Sequence, residues 1–325
     1  MADGLENVGV VVIGRNEGER LSLCLRSVAA CLPRVTYSDS GSTDPSVARA
    51  KELGVRTVEL DASASFTAAR GRNAGLATMS EVFPDIEFVQ FVDGDTAIAP
   101  GWLERAASEL GADPKLGVVC GRLFEKNRES NVIRRVFGLE WDGPIGKIDA
   151  CGGIAMMRLD AVRRAGGYNA ALVAGEEADL CNRIRTLGFA VRRVDCPMGE
   201  HDSGIDSIRP WWTRAVRVGH AYAKAVKERG GDGDPRLRRQ VLSAALWGGA
   251  LPVLMLASAV VTWWLPWVGL MVGVVAALYS ALMLKIYVRT RRSGRGIKDA
   301  QWYAVFCVLA KLPQMQGIVR YAVRG

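Results

Sequence analysis

Ile86-Glu87-Phe88-Val89-Gln90-Phe91-Val92-Asp93-Gly94-Asp95-Thr96 is the stretch from which the rest of the chain can be read. A mostly apolar run ends abruptly in two carboxylates separated by one glycine. Parallel strands buried inside α/β domains read as continuous apolar runs, and ligands of such domains bind beyond the carboxyl ends of the strands. Two carboxylates this close repel unless a cation sits between them. Mg²⁺ and Mn²⁺ suit hard oxygen ligands, and Mg²⁺ commonly takes one or two carboxylates plus substrate phosphates. Taken alone, Asp-Gly-Asp is also the composition of a plain surface turn, so its neighbours decide.

Upstream, Val8–Ile13 is a short apolar run ending in Gly14-Arg15-Asn16-Glu17. Leu21, Leu25, Val28 and Leu32 then recur at a helical period. Val35–Tyr37 is a second strand leading into the polar loop Ser38–Asp44, with a helix start at Pro45 and its glycine stop at Gly54. Val55–Leu60 reads as a third strand and Thr67–Met79 as a helix carrying Arg70, Arg72 and Asn73. Downstream, a helix is expected over Trp102–Leu110 and strands over Leu116–Leu123, Cys151–Met157 and Phe189–Val194. Phe124–Gly143 reads as polar and mixed, a cover for the acceptor side, and Gly143–Tyr168 as the lining that sets specificity. The alternation of strand, loop and helix predicts an α/β domain with a mostly parallel sheet and right-handed crossovers.

Charge and hydropathy divide the chain. Residues 205–325 hold 18 Lys/Arg against 5 Asp/Glu, a net of +13, whereas the preceding part holds 24 against 29, a net of −5. A basic segment points to an anionic surface, nucleic acid or membrane. Its apolar content favours membrane. Val241–Leu284 carries no charged side chain, and a span needs about 20 apolar residues. Trp263-Trp264-Leu265-Pro266-Trp267 suits an interfacial turn, and both flanks are basic, which puts them on the cytoplasmic side. Three regions follow: a catalytic domain over 1–204, a basic amphipathic interface helix and linker over 205–240, and a membrane region over 241–325. The last comprises a hairpin of spans at about 241–262 and 267–284 and a third apolar segment, 300–319, read as interfacial. Trp211 and Trp212 read as interface anchors or a sugar-stacking platform, and Gly230–Pro235 as a break before the hairpin. Met1–Asn7 is polar and Val8–Ile13 is too short for a signal-peptide core. Seven scattered cysteines without Cys-x-x-Cys pairs fit a reducing compartment and buried thiols.

Ile13-Gly-Arg-Asn-Glu17, Asp39-Ser-Gly-Ser-Thr-Asp44, Arg70-Gly-Arg-Asn73, Asp93-Gly-Asp95 and Glu176-Glu-Ala-Asp179 occur in the order and rough spacing of the family 2 glycosyltransferases, which this chain resembles over about residues 8–204. Gly14 departs from the family's usual proline, and Glu177 stands where many members have aspartate. Gln-x-x-Arg-Trp is absent from the sequence, which argues against a processive synthase. The resemblance implies a GT-A fold: a Rossmann-like, mixed, mostly parallel sheet flanked by helices, here followed by the transmembrane hairpin. It also implies an inverting, metal-dependent transfer from a UDP- or GDP-sugar, with Mg²⁺ or Mn²⁺ as cofactor.

On that resemblance Asp95, with Asp93 and His201, would hold the metal; Glu17, Asp39, Arg72, Asn73 and Asp93 would bind the nucleotide sugar. Transfer with inversion needs a base to take the acceptor's hydroxyl proton. Glu176, Glu177 and Asp179 are the catalytic candidates, with Glu177 as base, since crowded like charges raise a pKa. Asp179 would orient the acceptor or pair with Arg183. Competing structural readings are caps for Asp39 and Asp44, a solvated helical face for Arg70 and Arg72, helix-start acidity for Glu176–Asp179, a purely structural His201, and a surface position for His220. The expected acceptor is a lipid or lipid-linked saccharide at the cytoplasmic face of the inner membrane, in polysaccharide or glycolipid assembly, with no nucleic-acid partner. A polyprenyl-phosphate glycosyltransferase is the nearer alternative, and a non-catalytic nucleotide-sugar-binding membrane scaffold the more distant one. Sugar nucleotidyltransfer is disfavoured, because the loop after the first strand has a single glycine.

Overall fold

A computed structural model describes residues 4–141, 143–172, 175–229 and 235–324. The expected break at 230–234 lies outside the described residues. The chain folds as two compact units, residues 1–126 with 140–203 and residues 127–139 with 204–325.

The first unit is built on a nine-stranded sheet. Its centre is β1 (Val8–Gly14), a nearly fully buried run paired in parallel with β2 (Val35–Asp39) on one side and β4 (Phe88–Asp93) on the other. β3 (Arg56–Glu59) extends the parallel edge beyond β2. Gly14 is level with Asp39 and Ile13 with Asp93, so these strands deliver their acidic ends to one sheet edge. α1 (Glu19–Ser27), α2 (Ser46–Glu52) and α3 (Ala68–Val82) are the crossovers. Thr67 caps α3 by accepting from the Arg70 amide at 3.2 Å. The helix lies close against the sheet because it turns Gly71 and Gly75 toward Ile13 and Val11.

Beyond β4 the sheet changes sense. β8 (Ala155–Arg158) runs antiparallel to both β4 and β6 (Leu116–Glu125), and β9 (Ala190–His201) runs parallel to β6. β5 (Thr96–Ile98) and β7 (Gly146–Lys147), short strands the periodicity does not announce, pair antiparallel with β9. The β6–β9 ladder shifts register around Cys120–Leu123. Such bulges re-aim side chains near functional sites. α4 (Trp102–Ala112), α6 (Leu159–Arg164) and α7 (Glu176–Thr186) complete the unit. Two expectations change. The glycine-rich Cys151–Ile154 segment is a loop and the strand starts only at Ala155. The mixed stretch after Phe124 contains a helix, α5 (Val132–Glu140), that buries Ile133, Val136 and Phe137.

The second unit is helical: α8 (Ile208–Arg229), α9 (Pro235–Ala245), α10 (Leu251–Val261), α11 (Gly269–Arg292), α12 (Ile297–Leu309) and α13 (Lys311–Arg324). Trp211, Phe306 and Phe137 form its small core, with Trp211 and Phe306 edge-on at 5.1 Å. Trp211 is thus buried, while Trp212 is exposed and donates to Gln316 at 2.9 Å. Leu237–Val261 and Pro266–Arg292 are long and apolar enough to cross a membrane, with mean hydropathies of 1.9 and 2.1. Only 11% and 6% of those windows is buried, which argues against core helices of a soluble domain. The apolar hairpin is therefore present, with Trp263, Trp264 and Trp267 exposed in its turn. The third apolar segment is divided between α12 and α13 at Ala310.

Gly75 tests the α3 packing. Helix propensity alone makes Gly75→Ala stabilising by about 1 kcal/mol. A Cβ there would lie 2.6 Å from Cγ1 of the stiff Val11 side chain, and overpacking costs about 1–3 kcal/mol. The clash wins, so the variant is expected to melt several degrees lower in detergent; an increase in Tm would show that the packing yields.

Candidate active site

Arg72 is the centre of the site. It sits on the buried face of α3, 2% exposed. Its Nη2 meets Asp93 Oδ1 at 3.0 Å, and its Nη1 meets Glu176 Oε1 at 3.1 Å and Glu177 Oε1 at 3.2 Å. The guanidinium also stands 5.3 Å from the centroid of the Tyr168 ring. The cluster joins the end of β4, the second turn of α3 and the start of α7. Arg72 is therefore not part of a solvated helical face.

Glu177 responds to this setting. Burial, assisted by Glu176 and Asp93, outweighs Arg72 and raises its carboxyl to about 7. The folded state thus holds a proton that the unfolded chain releases near 4.5. Its contribution to stability is present at low pH and fades as pH rises between those values. Gly153 leaves the room for this arrangement, since a Cβ there would strike Arg72 Nη2 and lie 3.0 Å from Asp93 Oδ2 and 3.2 Å from Glu177 Oε1.

Asp95 lies across Gly94 from this cluster. Its Oδ2 is 3.3 Å from His201 Nε2, and its buried Oδ1 has no hydrogen-bond partner. His201 Nδ1 meets Glu125 Oε2 at 3.0 Å. Burial opposes charging of the imidazole, but the bonds to Asp95 and Glu125 prevail and lift it to about 10. Glu17 pairs with Arg20 at 2.8 Å, and its carboxyl is raised by burial and then by Asp95. Cys24, beneath, and the Cys151–Cys181 pair, at 3.5 Å, are free thiols.

The remaining candidates are committed locally. Asp39 is buried and accepts from Tyr37 OH at 2.7 Å, the amides of Gly41 and Ser42 at 2.9 and 2.7 Å, and Ser42 Oγ at 2.5 Å. Asn73 clamps the Tyr168 backbone, donating to its carbonyl at 2.7 Å and accepting from its amide at 2.9 Å. Asp179 pairs with Arg183 at 2.8 Å along α7. Asp44 accepts from the Ser46 amide at 3.0 Å. His220 packs edge-on to Tyr321 in the helical unit. Glu125 and Trp141 are site residues that the motifs miss; the only sequence signal is a carboxylate at the end of an otherwise apolar strand.

The donors suit a hard divalent ion. Among the described residues no group of three or more His, Cys, Asp or Glu closes on one point. Asp95, with its orphaned buried oxygen, and His201 Nε2 stand together as a pair of donors. Such a pair fits an ion whose remaining ligands come from substrate phosphates.

Residues 9–165 match the model of glycosyl transferase family 2. With the strand-end acids in place, this match makes the domain similar to members of that family. Pre-mycofactocin glycosyltransferase of Mycobacterium tuberculosis is 26% identical over 166 residues, covering 48% of this chain. The chain matches 34% of that relative's length, about a third. Among solved structures, a mannosyltransferase, PcManGT, from Pyrobaculum calidifontis in complex with GDP-Man and Mn²⁺ has a TM-score of 0.54 at 17% identity, covering 97% of this chain and 87% of that one. Glucosyl-3-phosphoglycerate synthase of Mycobacterium tuberculosis in complex with phosphoglyceric acid has a TM-score of 0.50 at 17% identity, covering 71% and 83%. These likenesses establish the fold: the mixed sheet with flanking helices is the expected GT-A arrangement.

Removing Arg72 would leave its carboxylates facing one another in a buried space. Arg72→Met is expected to cost about 3–5 kcal/mol at pH 8, the usual penalty for breaking a buried pair from one side. The penalty should shrink at pH 5.5, where Glu177 is neutral. Thermal melts at both pH values test this; equal losses would mean that the cluster is not ionic.

Proposed function

We propose that this chain is a family 2 glycosyltransferase that inverts the anomeric centre of a UDP- or GDP-sugar as it transfers the sugar to a hydroxyl of a lipid or lipid-linked saccharide at the cytoplasmic face of the membrane. One observation carries the reading: a carboxyl poised near neutrality, Glu177, is buried beside the acidic end of β4. Transfer to a hydroxyl needs a group that takes a proton close to neutral pH. Transfer to a phosphate does not, and a phosphate approaching Asp93, Glu176 and Glu177 around a single Arg72 would meet net negative charge.

Asp95 and His201 are the proposed holders of Mg²⁺ or Mn²⁺, with Asp93 beside them. When bound, that ion supplies Lewis-acid neutralisation of the leaving diphosphate. Glu177 takes the acceptor proton, and Glu176 with Arg72 fixes its carboxyl. Glu17 lies at the nucleotide side of the crevice. Asp39 shapes the Ser40–Asp44 loop, so its contribution to the nucleotide is through that loop unless its own bonds are exchanged. The neighbours solved with GDP-Man and Mn²⁺ support this donor class. The two apolar helices support membrane attachment, with the basic flanks on the cytoplasmic side.

Below about pH 7 the initial rate should fall tenfold per pH unit, levelling above it, because Glu177 works only when deprotonated. Glu177→Gln should lose about 10²–10⁴ in rate while retaining nucleotide affinity by calorimetry; unchanged turnover would remove Glu177 as base. Purified full-length chain with Mn²⁺, a panel of UDP- and GDP-sugars and a membrane-lipid extract should release nucleotide and glycosylate a lipid detectable by mass spectrometry. No release above background with any donor would defeat the enzymatic reading. Membranes carrying the chain should keep it in the pellet through alkaline carbonate extraction, and release into the supernatant would exclude the two spans.

A further inference from the structure

Glu125 is a fully buried carboxylate at the very end of β6, outside every motif that marks the site. Its oxygens are filled from two directions. Oε1 accepts from the Ser203 amide at 3.1 Å and Ser203 Oγ at 2.5 Å. Oε2 accepts from Trp141 Nε1 at 3.1 Å and faces His201 Nδ1 at 3.0 Å. A carboxylate offers roughly four lone-pair directions, and all are taken, so its position is over-determined.

The backbone register explains how it reaches His201. In the ladders, His201 on β9 is paired with Glu125 on β6 and with Thr96 on β5, the residue after Asp95. Lys126 N donates to the His201 carbonyl at 2.8 Å, and Asp202 N to the Asp95 carbonyl at 2.9 Å, which pins the register on both sides. The imidazole is thus held edge to edge between two carboxylates, Nδ1 toward Glu125 and Nε2 toward Asp95. The Trp141 ring covers it, with centroids 4.5 Å apart.

We infer that Glu125 is a positioning residue that fixes the His201 ring through Nδ1, so that Nε2 stands beside Asp95 as a ligand for the divalent ion, with Trp141 and Ser203 holding Glu125 in turn. The inference rests on the metal-dependent reading proposed above. Carboxylates that orient a ligating histidine commonly change metal affinity by about 10–100-fold when altered. A glutamine cannot replace this one: whichever way its amide turns, its NH₂ faces a donor-only group, the Trp141 indole N–H or the Ser203 backbone N–H.

The test uses the full-length chain in detergent with UDP or GDP. Free Mn²⁺ is followed by electron paramagnetic resonance, and His201 by long-range ¹⁵N–¹H correlation with Mg²⁺. The chain has only two histidines, so the spectrum is simple. Wild type should bind Mn²⁺ with nucleotide and show His201 protonated at Nδ1 and bare at Nε2. Glu125→Gln should bind Mn²⁺ at least ~10-fold more weakly, with metal-free nucleotide affinity unchanged and the tautomer no longer fixed. Equal Mn²⁺ affinity in the variant would overturn the inference while leaving the metal site standing. Absence of Mn²⁺ binding in wild type with either nucleotide would overturn the metal reading itself. If the variant does not fold, the wild-type tautomer decides, because a bare Nδ1 contradicts the proposed role.

Discussion

The site depends on one buried cation surrounded by carboxylates. Arg72, on α3, contacts Asp93 at the end of β4 and Glu176 and Glu177 at the start of α7. A buried ion pair adds little net stability, because desolvation offsets the attraction, but one left unpaired is costly. The arrangement therefore acts as a constraint: β4, α3 and α7 have to meet in one geometry or leave charge stranded. Two glycines make it possible. Gly75 lets α3 approach β1, and Gly153 leaves space over the guanidinium that any side chain would fill. The burial that holds Glu177 in this cluster is also the main cause that raises its carboxyl to about 7, so placement and acid–base character have a common cause.

A second constraint is the β6–β9–β5 register. A sheet alternates its side chains with a period of two, and a slip of one residue would turn Glu125 and His201 to the opposite face. The register shifts around Cys120–Leu123 set the phase of the final ladder pairs. Gly121 sits in that region with the Cys196 carbonyl 2.6 Å from where a Cβ would stand, so the strands approach closely just before the site. Glu125 and His201 thus owe their alignment to backbone hydrogen bonds, whereas Glu176 and Glu177 owe theirs to the Arg72 cluster.

This difference explains what could be read from the chain alone. Asp93 and Asp95 were legible because an apolar run ending in acids is a local pattern, and Glu177 because three acids crowd one helix start. Strands β1 to β4 follow from buried runs, and the apolar hairpin from a charge-free stretch. Glu125 and Trp141 were not legible, because their relevance arises from pairing β6 with β9, a long-range register that no periodicity announces. Arg72 and Asn73 were legible as a pair but not in their contacts. Helix α3 turns Arg72 into the core and Asn73 onto the Tyr168 backbone, and which face of a helix is buried depends on partners far along the chain. The Cys151–Ile154 run reads as strand on apolar content, yet the strand starts at Ala155, and a Cβ at Gly153 would strike Arg72.

Charge balance links these parts to the proposed chemistry. Glu17, Asp93, Asp95, Glu125, Glu176 and Glu177 face the crevice or support it, and the arginines among them, Arg20 and Arg72, are each already paired with one or more of these acids. A nucleoside diphosphate entering such a place finds carboxylates in excess and these arginines already engaged. On the proposed reading a divalent ion would resolve that conflict, with the orphaned Asp95 oxygen as one of its ligands. The acid excess would then couple donor binding to the ion, and Glu177, also in contact with Arg72, would be left as the group that exchanges a proton.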